Sequence, residues 1–139
     1  MYHMIINPAS KSGKGARIWS KLEPILIEKH IPYTVYFSQK AGHITKIVCD
    51  LCHSNLNPFT EEFLKLIVLG GDGTLNEALQ GITDFNKVQV GYIPTGSSND
   101  MARDLKLPKD PVAILQQILS CKEPVKMDIG HVTFKNTAD

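Results

Sequence analysis

The chain has 139 residues, of which 42% are hydrophobic and 21% are charged, a composition that excludes a disordered protein and fits one globular core. Fifteen basic against fourteen acidic residues leave a formal net charge of +1, so no overall field attracts nucleic acid, and any anion site must be local. The first six residues lack the pattern of a signal peptide, and no apolar run is long enough to span a bilayer. These features predict a cytoplasmic protein that does not bind nucleic acid.

Short apolar runs rich in β-branched and aromatic residues alternate with segments of helical spacing along the chain. This alternation predicts a three-layer α/β domain, in which helices cover both faces of a mostly parallel sheet. Strands are predicted at residues 4–7, 34–37, 64–69, 88–93 and 125–134. Helices are predicted at residues 15–29, 42–52, 74–82, 99–105 and 111–121, and Pro24 should kink or divide the first of them.

The turn after the first predicted strand carries Asn7 and then small and basic residues through Gly15. It does not match the P-loop pattern. Lys11 and Lys14 could neutralise phosphate charge, although a solvated basic loop is an equal alternative.

Cys49 and Cys52 have the spacing of a redox motif or of half a zinc site, but the chain contains no second such pair. Apolar residues recur around them at helical spacing, which favours ordinary packing. The five histidines show neither metal-ligand spacing nor a nucleophile signature, so we interpret them as incidental to function.

The strongest feature is the sequence Gly-Gly-Asp-Gly-Thr at residues 70–74, directly after the third predicted strand. Its glycines would allow backbone conformations closed to other residues and let a ligand approach without meeting a Cβ atom. Thr74 then opens the predicted helix, whose N-terminal N–H groups and dipole favour an anion. Glu77 completes the spacing of a capping box. Strand, turn and helix together predict a phosphate site.

Asp72 is unusual within such a turn, because a carboxylate close to phosphate is repelled unless a cation intervenes or a proton is exchanged. Its presence indicates Mg²⁺ chemistry or a base for a hydroxyl group. The alternative is that Asp72 only forms a turn hydrogen bond, as Asp often does beside glycine.

A further turn, at residues 93–103, follows the fourth predicted strand and contains Ser97, Ser98 and Asn99 before the next predicted helix. Asn99 can cap that helix, and the hydroxyl groups add hydrogen-bond donors. By itself this turn is a weak signal. The turns at the carboxyl edge of a parallel sheet nevertheless predict a crevice, which is where ligands bind in such folds.

Together the turns resemble the catalytic domain shared by diacylglycerol kinases, sphingosine kinases and related bacterial lipid kinases. The match spans nearly the whole chain. It consists of an opening Asn-Pro followed by Ser and Gly-Lys-x-Gly-like residues, then Gly-Gly-Asp-Gly-Thr-x-Asn-Glu, then Pro-x-Gly-Ser/Thr-x-Asn-Asp-x-Ala-Arg. The middle motif is shared with NAD kinases, and the third makes the lipid-kinase resemblance specific. The implied fold is that of the N-terminal domain of NAD kinases and diacylglycerol kinases.

The resemblance implies ATP and Mg²⁺ as cofactors and Asp72 as the catalytic residue. Ser38 and Ser97 fall where the family usually has a nucleotide-contacting Thr, and Ser98 replaces a frequent Gly. Asp100 and Arg103 would brace the third turn. The residues implied to bind nucleotide are Asn7, Ser38, Gly70, Gly71, Asp72, Gly73, Thr74, Leu75, Asn76 and Ser97.

The implied reaction transfers the γ-phosphoryl group of ATP to the hydroxyl of a diacylglycerol-like lipid, at the inner face of the membrane. Family members continue past the segment resembling residues 125–132 into a β-rich second domain. We therefore expect residues 1–139 to be the nucleotide-binding domain alone, poorly active without its acceptor wall. The alternatives are an NAD kinase-like phosphotransferase and an inactive nucleotide-binding or interaction module. An uncovered sheet edge would also favour a homodimer.

Overall fold

The computed structural model describes residues 1–8, 10–55, 63–95 and 110–120, of which residues 10–12 are described by their backbone alone. The strands are Tyr2–Ile6 (β1), Tyr33–Phe37 (β2), Leu64–Gly70 (β3) and Val88–Pro94 (β4). The α-helices are Ser10–Glu28 (α1), His43–Asn55 (α2), Asp72–Gly81 (α3) and Pro111–Ser120 (α4). The helix predicted at 99–105, the strand predicted at 125–134, and Ser97, Ser98, Asp100 and Arg103 lie outside the described residues.

The described strands form one parallel sheet in the order β2-β1-β3-β4. In the middle of this sheet Ile5 of β1 pairs with Tyr36 on one side and with Val68 on the other. After β1 the chain adds β2 on one side, and it then crosses over to place β3 and β4 on the other. The position between β1 and β3 is therefore the topological switch point, where ligands bind in open α/β sheets.

Helices cover both faces of the sheet, so the predicted three-layer architecture is confirmed. On one face Ile5 and Val68 belong to a core cluster with Val48 of α2 and Leu79 of α3. On the other face the core cluster contains residues of β1, β3, β4, α1 and α4, among them Met4, Ile67, Ile93, Leu22 and Ile114. Burying one such aliphatic side chain contributes roughly 1.5–3 kcal/mol. Strand β3 is buried almost throughout because it supplies side chains to both clusters.

Two helix predictions need correction. Helix α1 runs from Ser10 to Glu28 as one helix, so it begins before the predicted residue 15 and is not divided at Pro24. Proline removes one backbone donor from the helix, but Leu22 and Leu26 are fully buried on either side of it and hold the helix against the sheet.

Helix α3 begins at Asp72, not at Thr74. The N-cap is Gly71, which is extended with φ −87° and ψ −174°, so the chain turns into the helix as soon as β3 ends. The Leu75 N–H donates to the carbonyl of the N-cap Gly71 at 3.1 Å, which closes the first turn of the helix.

Cys49 and Cys52 are both free thiols on α2; Cys52 packs in the core as expected, whereas Cys49 is half-buried. Among the described residues no group of three or more His, Cys, Asp or Glu side chains is placed to hold a metal ion. None of the helices in the described part of the chain has the length and apolar character needed to cross a membrane.

Candidate functional site

The turns that follow the strands meet at the carboxyl edge of the sheet. The first residues after β1, β2 and β4 each donate a backbone hydrogen bond to the neighbouring strand, which extends the sheet pairing beyond the strand ends. These bonds run from Asn7 to Leu69 at 2.9 Å, from Ser38 to Ile6 at 2.9 Å and from Thr95 to Gly70 at 2.8 Å. Three segments distant in sequence are thereby fixed side by side at one edge.

Asn7 and Thr74 join the two sides of the switch point. The Asn7 side-chain Nδ2 donates to Thr74 Oγ1 at 3.3 Å, from the residue after β1 to the first turn of α3. Thr74 is buried, and Asn7 is half-buried. This bond spans 67 positions of sequence, and it connects the opening Asn-Pro motif with the glycine-rich motif.

The glycines of the central turn contribute small size, not unusual backbone angles. The expectation of conformations closed to other residues was wrong here: among the described residues only Gly13, Gly42 and His30 have positive φ. A Cβ atom at Gly70 would lie 2.4 Å from Thr74 Oγ1, so Gly70 makes room for Thr74. A Cβ atom at Gly73 would meet nothing within 4 Å, so the start of α3 is open at that position.

Gly15 is a further glycine that shapes the site, although it was not among the predicted site residues. A Cβ atom at this position would lie 2.1 Å from the Asn7 carbonyl oxygen. Helix α1 therefore packs directly against the backbone of the turn that presents Asn7. The available signal was glycine itself, because a glycine inside a helix is a poor helix former and usually has a packing reason to be there.

Asp72, the first residue of α3, is held by a tyrosine from the neighbouring strand. Tyr92 Oη donates to Asp72 Oδ1 at 3.0 Å. Burial, together with the adjacent Asp72 carboxylate, raises the pKa of the Tyr92 hydroxyl far above its usual range. Tyr92 therefore remains a donor at every ordinary pH, and the Asp72 carboxylate has a fixed partner outside its own turn.

Sequence reasoning did not select Tyr92. The available signal was its position two residues before Pro94, the last residue of β4. A buried tyrosine usually needs a hydrogen-bond partner for its hydroxyl, and this one points to the carboxyl edge, where Asp72 lies.

The predicted capping box of Thr74 and Glu77 was wrong. Glu77 Oε1 accepts a hydrogen bond from the Gly42 N–H at 2.8 Å, and the Glu77 carbonyl accepts one from Thr45 Oγ1 at 2.8 Å. Because α3 begins at Asp72, Glu77 lies more than one turn inside the helix, too far along to reach its N-cap. The side chain connects α3 with the start of α2 instead.

The segment between β2 and α2 carries Ser38 and is fixed by local hydrogen bonds. His43 Nδ1 accepts from the Gln39 N–H at 3.0 Å, and the His43 N–H donates to the Lys40 carbonyl at 3.2 Å. Gly42 has φ +83°, which favours glycine. His43 thus has a structural part in presenting Ser38, which sequence spacing did not reveal.

The structure brings most of the predicted nucleotide-binding residues to this edge. Asn7, Ser38 and residues 70–74 all lie at the carboxyl ends of β1, β2 and β3. Leu75 is placed differently, because its side chain is buried in the core and its N–H is used within the helix. Asn76 is half-buried on α3, and Ser97 lies outside the described residues.

The chemistry of these side chains fits Mg²⁺ accompanied by a nucleotide. Mg²⁺ usually keeps several waters and is held by one or two carboxylates together with substrate phosphates. Asp72 supplies a half-buried carboxylate at the positive end of α3. Asp72 is the residue at this edge that could help to hold the ion.

The family follows from comparison with known proteins. Residues 1–132 match the model of the diacylglycerol kinase catalytic domain. The chain belongs to this family.

The relatives that the chain matches are longer proteins. The diacylglycerol kinase of Staphylococcus carnosus is 34% identical over 134 residues, which cover 93% of this chain and 40% of the relative. The diacylglycerol kinase of Bacillus subtilis is 30% identical over 113 residues, which cover 77% of this chain and 37% of the relative. The chain thus spans about two fifths of the length of these relatives.

A solved diacylglycerol kinase structure from Bacillus anthracis has the same fold. It superimposes with a TM-score of 0.66 at 24% sequence identity, over 84% of this chain and 38% of that one. At this level of identity the likeness concerns the fold, and it confirms the α/β architecture expected from the sequence.

Proposed function

We propose that this chain is the nucleotide-binding domain of a lipid kinase, which transfers the γ-phosphoryl group of ATP to a lipid hydroxyl. The observation that carries the proposal is the Asn7–Thr74 hydrogen bond across the switch point, beside the Asp72 carboxylate. Membership in the diacylglycerol kinase catalytic domain family supports phosphoryl transfer as the chemistry.

The phosphates would lie over the start of α3. A helix N-terminus presents N–H groups and a positive dipole end to an anion. Gly73 lies in this first turn with open space beside its Cα atom, so a phosphate can approach the backbone closely. Gly71, the N-cap, has no side chain with which to occupy the same space.

Asp72 would serve the reaction in one of two ways. With Mg²⁺ bound, the ion would neutralise charge on the phosphates, which is the main requirement of phosphoryl transfer. The carboxylate would either help to hold that ion or accept the proton of the incoming hydroxyl. Both roles require an ionised side chain at the carboxyl edge, where the structure has Asp72.

The acceptor that we propose is a diacylglycerol-like lipid, because the relatives are named diacylglycerol kinases. A second, β-rich domain would form the lipid side of the cleft, and the protein would act at the inner membrane surface. Residues 1–139 would then supply the ATP side of the site. The NAD kinase-like reaction remains as the rival, since it uses the same glycine-rich motif.

A phosphotransfer assay on the natural gene product tests the proposal. Labelled ATP and Mg²⁺ are supplied with dioleoylglycerol in mixed micelles, with NAD, or with no acceptor. We expect label in phosphatidic acid, and we expect Asp72→Ala to reduce it to a trace that only single-turnover assays detect, while the protein stays folded. Label in NADP instead would support the rival, and undiminished turnover by Asp72→Ala would refute the role of this carboxylate.

A further inference from the structure

Tyr92 presents its hydroxyl to the carboxylate that the proposed reaction uses. Its ring is 3% exposed, in the core that α2 and α3 form with the sheet. Its hydroxyl donates to Asp72 Oδ1 at 3.0 Å. We propose that Tyr92 is a positioning residue for phosphoryl transfer, which holds the Asp72 carboxylate in its working orientation. This inference rests on the function proposed above for Asp72.

An aspartate at the start of a helix needs such a restraint. Rotation about its χ2 angle is broad, so the carboxylate of a free Asp samples many orientations. The positive N-terminal end of the same helix also attracts the carboxylate toward its own backbone. A hydrogen bond to an ionised group is stronger than one between neutral groups, so the Tyr92 hydroxyl can hold the carboxylate in one orientation.

Tyr92 is suited to this task because the sheet and the core fix its position. In the sheet Tyr92 pairs with Val68, two residues before the pairing of Pro94 with Gly70. The hydroxyl is therefore anchored to the strand that leads into the glycine-rich turn. Close packing restrains the buried ring.

The rival explanation is that Asp72 merely satisfies a buried tyrosine hydroxyl, as the interior of a protein requires. Tyr33, which is half-buried, provides a comparison pair of the same chemistry. Its hydroxyl donates to Glu23 Oε2 at 2.6 Å, on the face of the sheet covered by α1. That tyrosine–carboxylate pair has the same chemistry but is remote from the proposed site.

The test compares Tyr92→Phe with Tyr33→Phe in the natural gene product. Each substitution removes one hydroxyl and keeps the ring, so their thermal denaturation midpoints report the structural cost of each hydrogen bond. We expect Tyr92→Phe to lower kcat about tenfold with KM for ATP within about twofold, the size expected for losing a hydrogen bond to a charged group. Tyr33→Phe should keep the wild-type kcat. Wild-type kcat in Tyr92→Phe would overturn the inference.

Residual rates in the Asp72→Ala background, measured in single-turnover assays, show whether Tyr92 acts through Asp72. If it does, adding Tyr92→Phe to Asp72→Ala lowers the rate no further. A second tenfold fall would overturn the inference while leaving the proposed function intact. Wild-type turnover in Asp72→Ala itself would refute both the proposed role of Asp72 and the positioning role of Tyr92.

Asp72→Glu is the second variant, which keeps the tyrosine and the charge but displaces the carboxylate by one methylene. We expect a fall in kcat similar to that of Tyr92→Phe, again with little change in KM for ATP. Full activity of Asp72→Glu would show that carboxylate orientation is unimportant, and it would overturn the inference even if Tyr92→Phe proved unstable.

Discussion

Gly70 lies so close to Thr74 that a Cβ atom added at position 70 would stand 2.4 Å from the Thr74 hydroxyl oxygen. Gly70 is the last residue of β3, and Thr74 is in the first turn of α3. The connection between them is therefore compact because position 70 has no side chain. The same contact holds Thr74 where Asn7 can bond to it.

We expect Gly70→Ala to destabilise the protein by roughly 1–3 kcal/mol, the usual cost of overpacking a core. The added methyl group would clash with the Thr74 Cβ atom, which cannot move unless the helix backbone moves with it. Gly73→Ala is the matched control, because its added methyl group enters open space and alanine favours a helix. Urea denaturation of the variants measures both effects, and equal stability of the two variants would contradict the packing argument.

A negative charge at position 73 should weaken nucleotide binding. We expect Gly73→Glu to reduce the affinity for a fluorescent ATP analogue at least about tenfold, because the carboxylate would face the phosphates. Gln80→Glu adds the same charge to an exposed position of α3, about 10 Å further along the helix, and it should bind nearly as the wild type does. Similar affinities for both variants would place the phosphates elsewhere.

Glu77 should stabilise the segment that carries Ser38. We expect Glu77→Ala to speed amide hydrogen exchange at Gly42, because the N–H loses its carboxylate acceptor at 2.8 Å. Glu77→Gln keeps an acceptor oxygen and should restore much of the protection. The measurement is exchange at single amides by NMR, and unchanged exchange at Gly42 in Glu77→Ala would show that the bond contributes nothing.

His3 should make stability fall in mild acid. It is buried on β1, its Nδ1 has no hydrogen-bond partner, and burial, with a smaller effect of the positive N-terminus, lowers its pKa below 6.5. Below pH 6.5 the unfolded chain therefore binds a proton that the folded chain resists, and the free energy of unfolding decreases as the pH falls toward the folded-state pKa.

The variant His3→Leu tests this prediction by removing the titrating group. Its unfolding free energy should change less than that of the wild type between pH 7.5 and pH 5. His30→Asn is the control, because His30 is exposed and asparagine tolerates its φ of 56°. It should keep the wild-type dependence on pH. Identical pH dependence of His3→Leu and the wild type would refute the role of His3.

Within the described residues, the sequence by itself determined the main strands and α-helices and their order. The apolar run at residues 64–69 predicted strand β3, and the glycine-rich turn after it predicted where a ligand would approach. The sequence pattern predicts strands and turns because each of them is specified by residues within a few positions of one another. The same local patterns carried the resemblance to the family that the chain belongs to.

The tertiary structure alone decided the partners of the site residues. Thr74 bonds to Asn7, Glu77 to Gly42, and Asp72 to Tyr92, across 67, 35 and 20 positions respectively. Local spacing predicted a capping box between Thr74 and Glu77, because sequence spacing relates only residues within about one helical turn of each other. The strand order β2-β1-β3-β4 and the packing of α2 against α3 bring the distant groups together. Their hydrogen bonds follow from that arrangement, which no short stretch of the chain encodes.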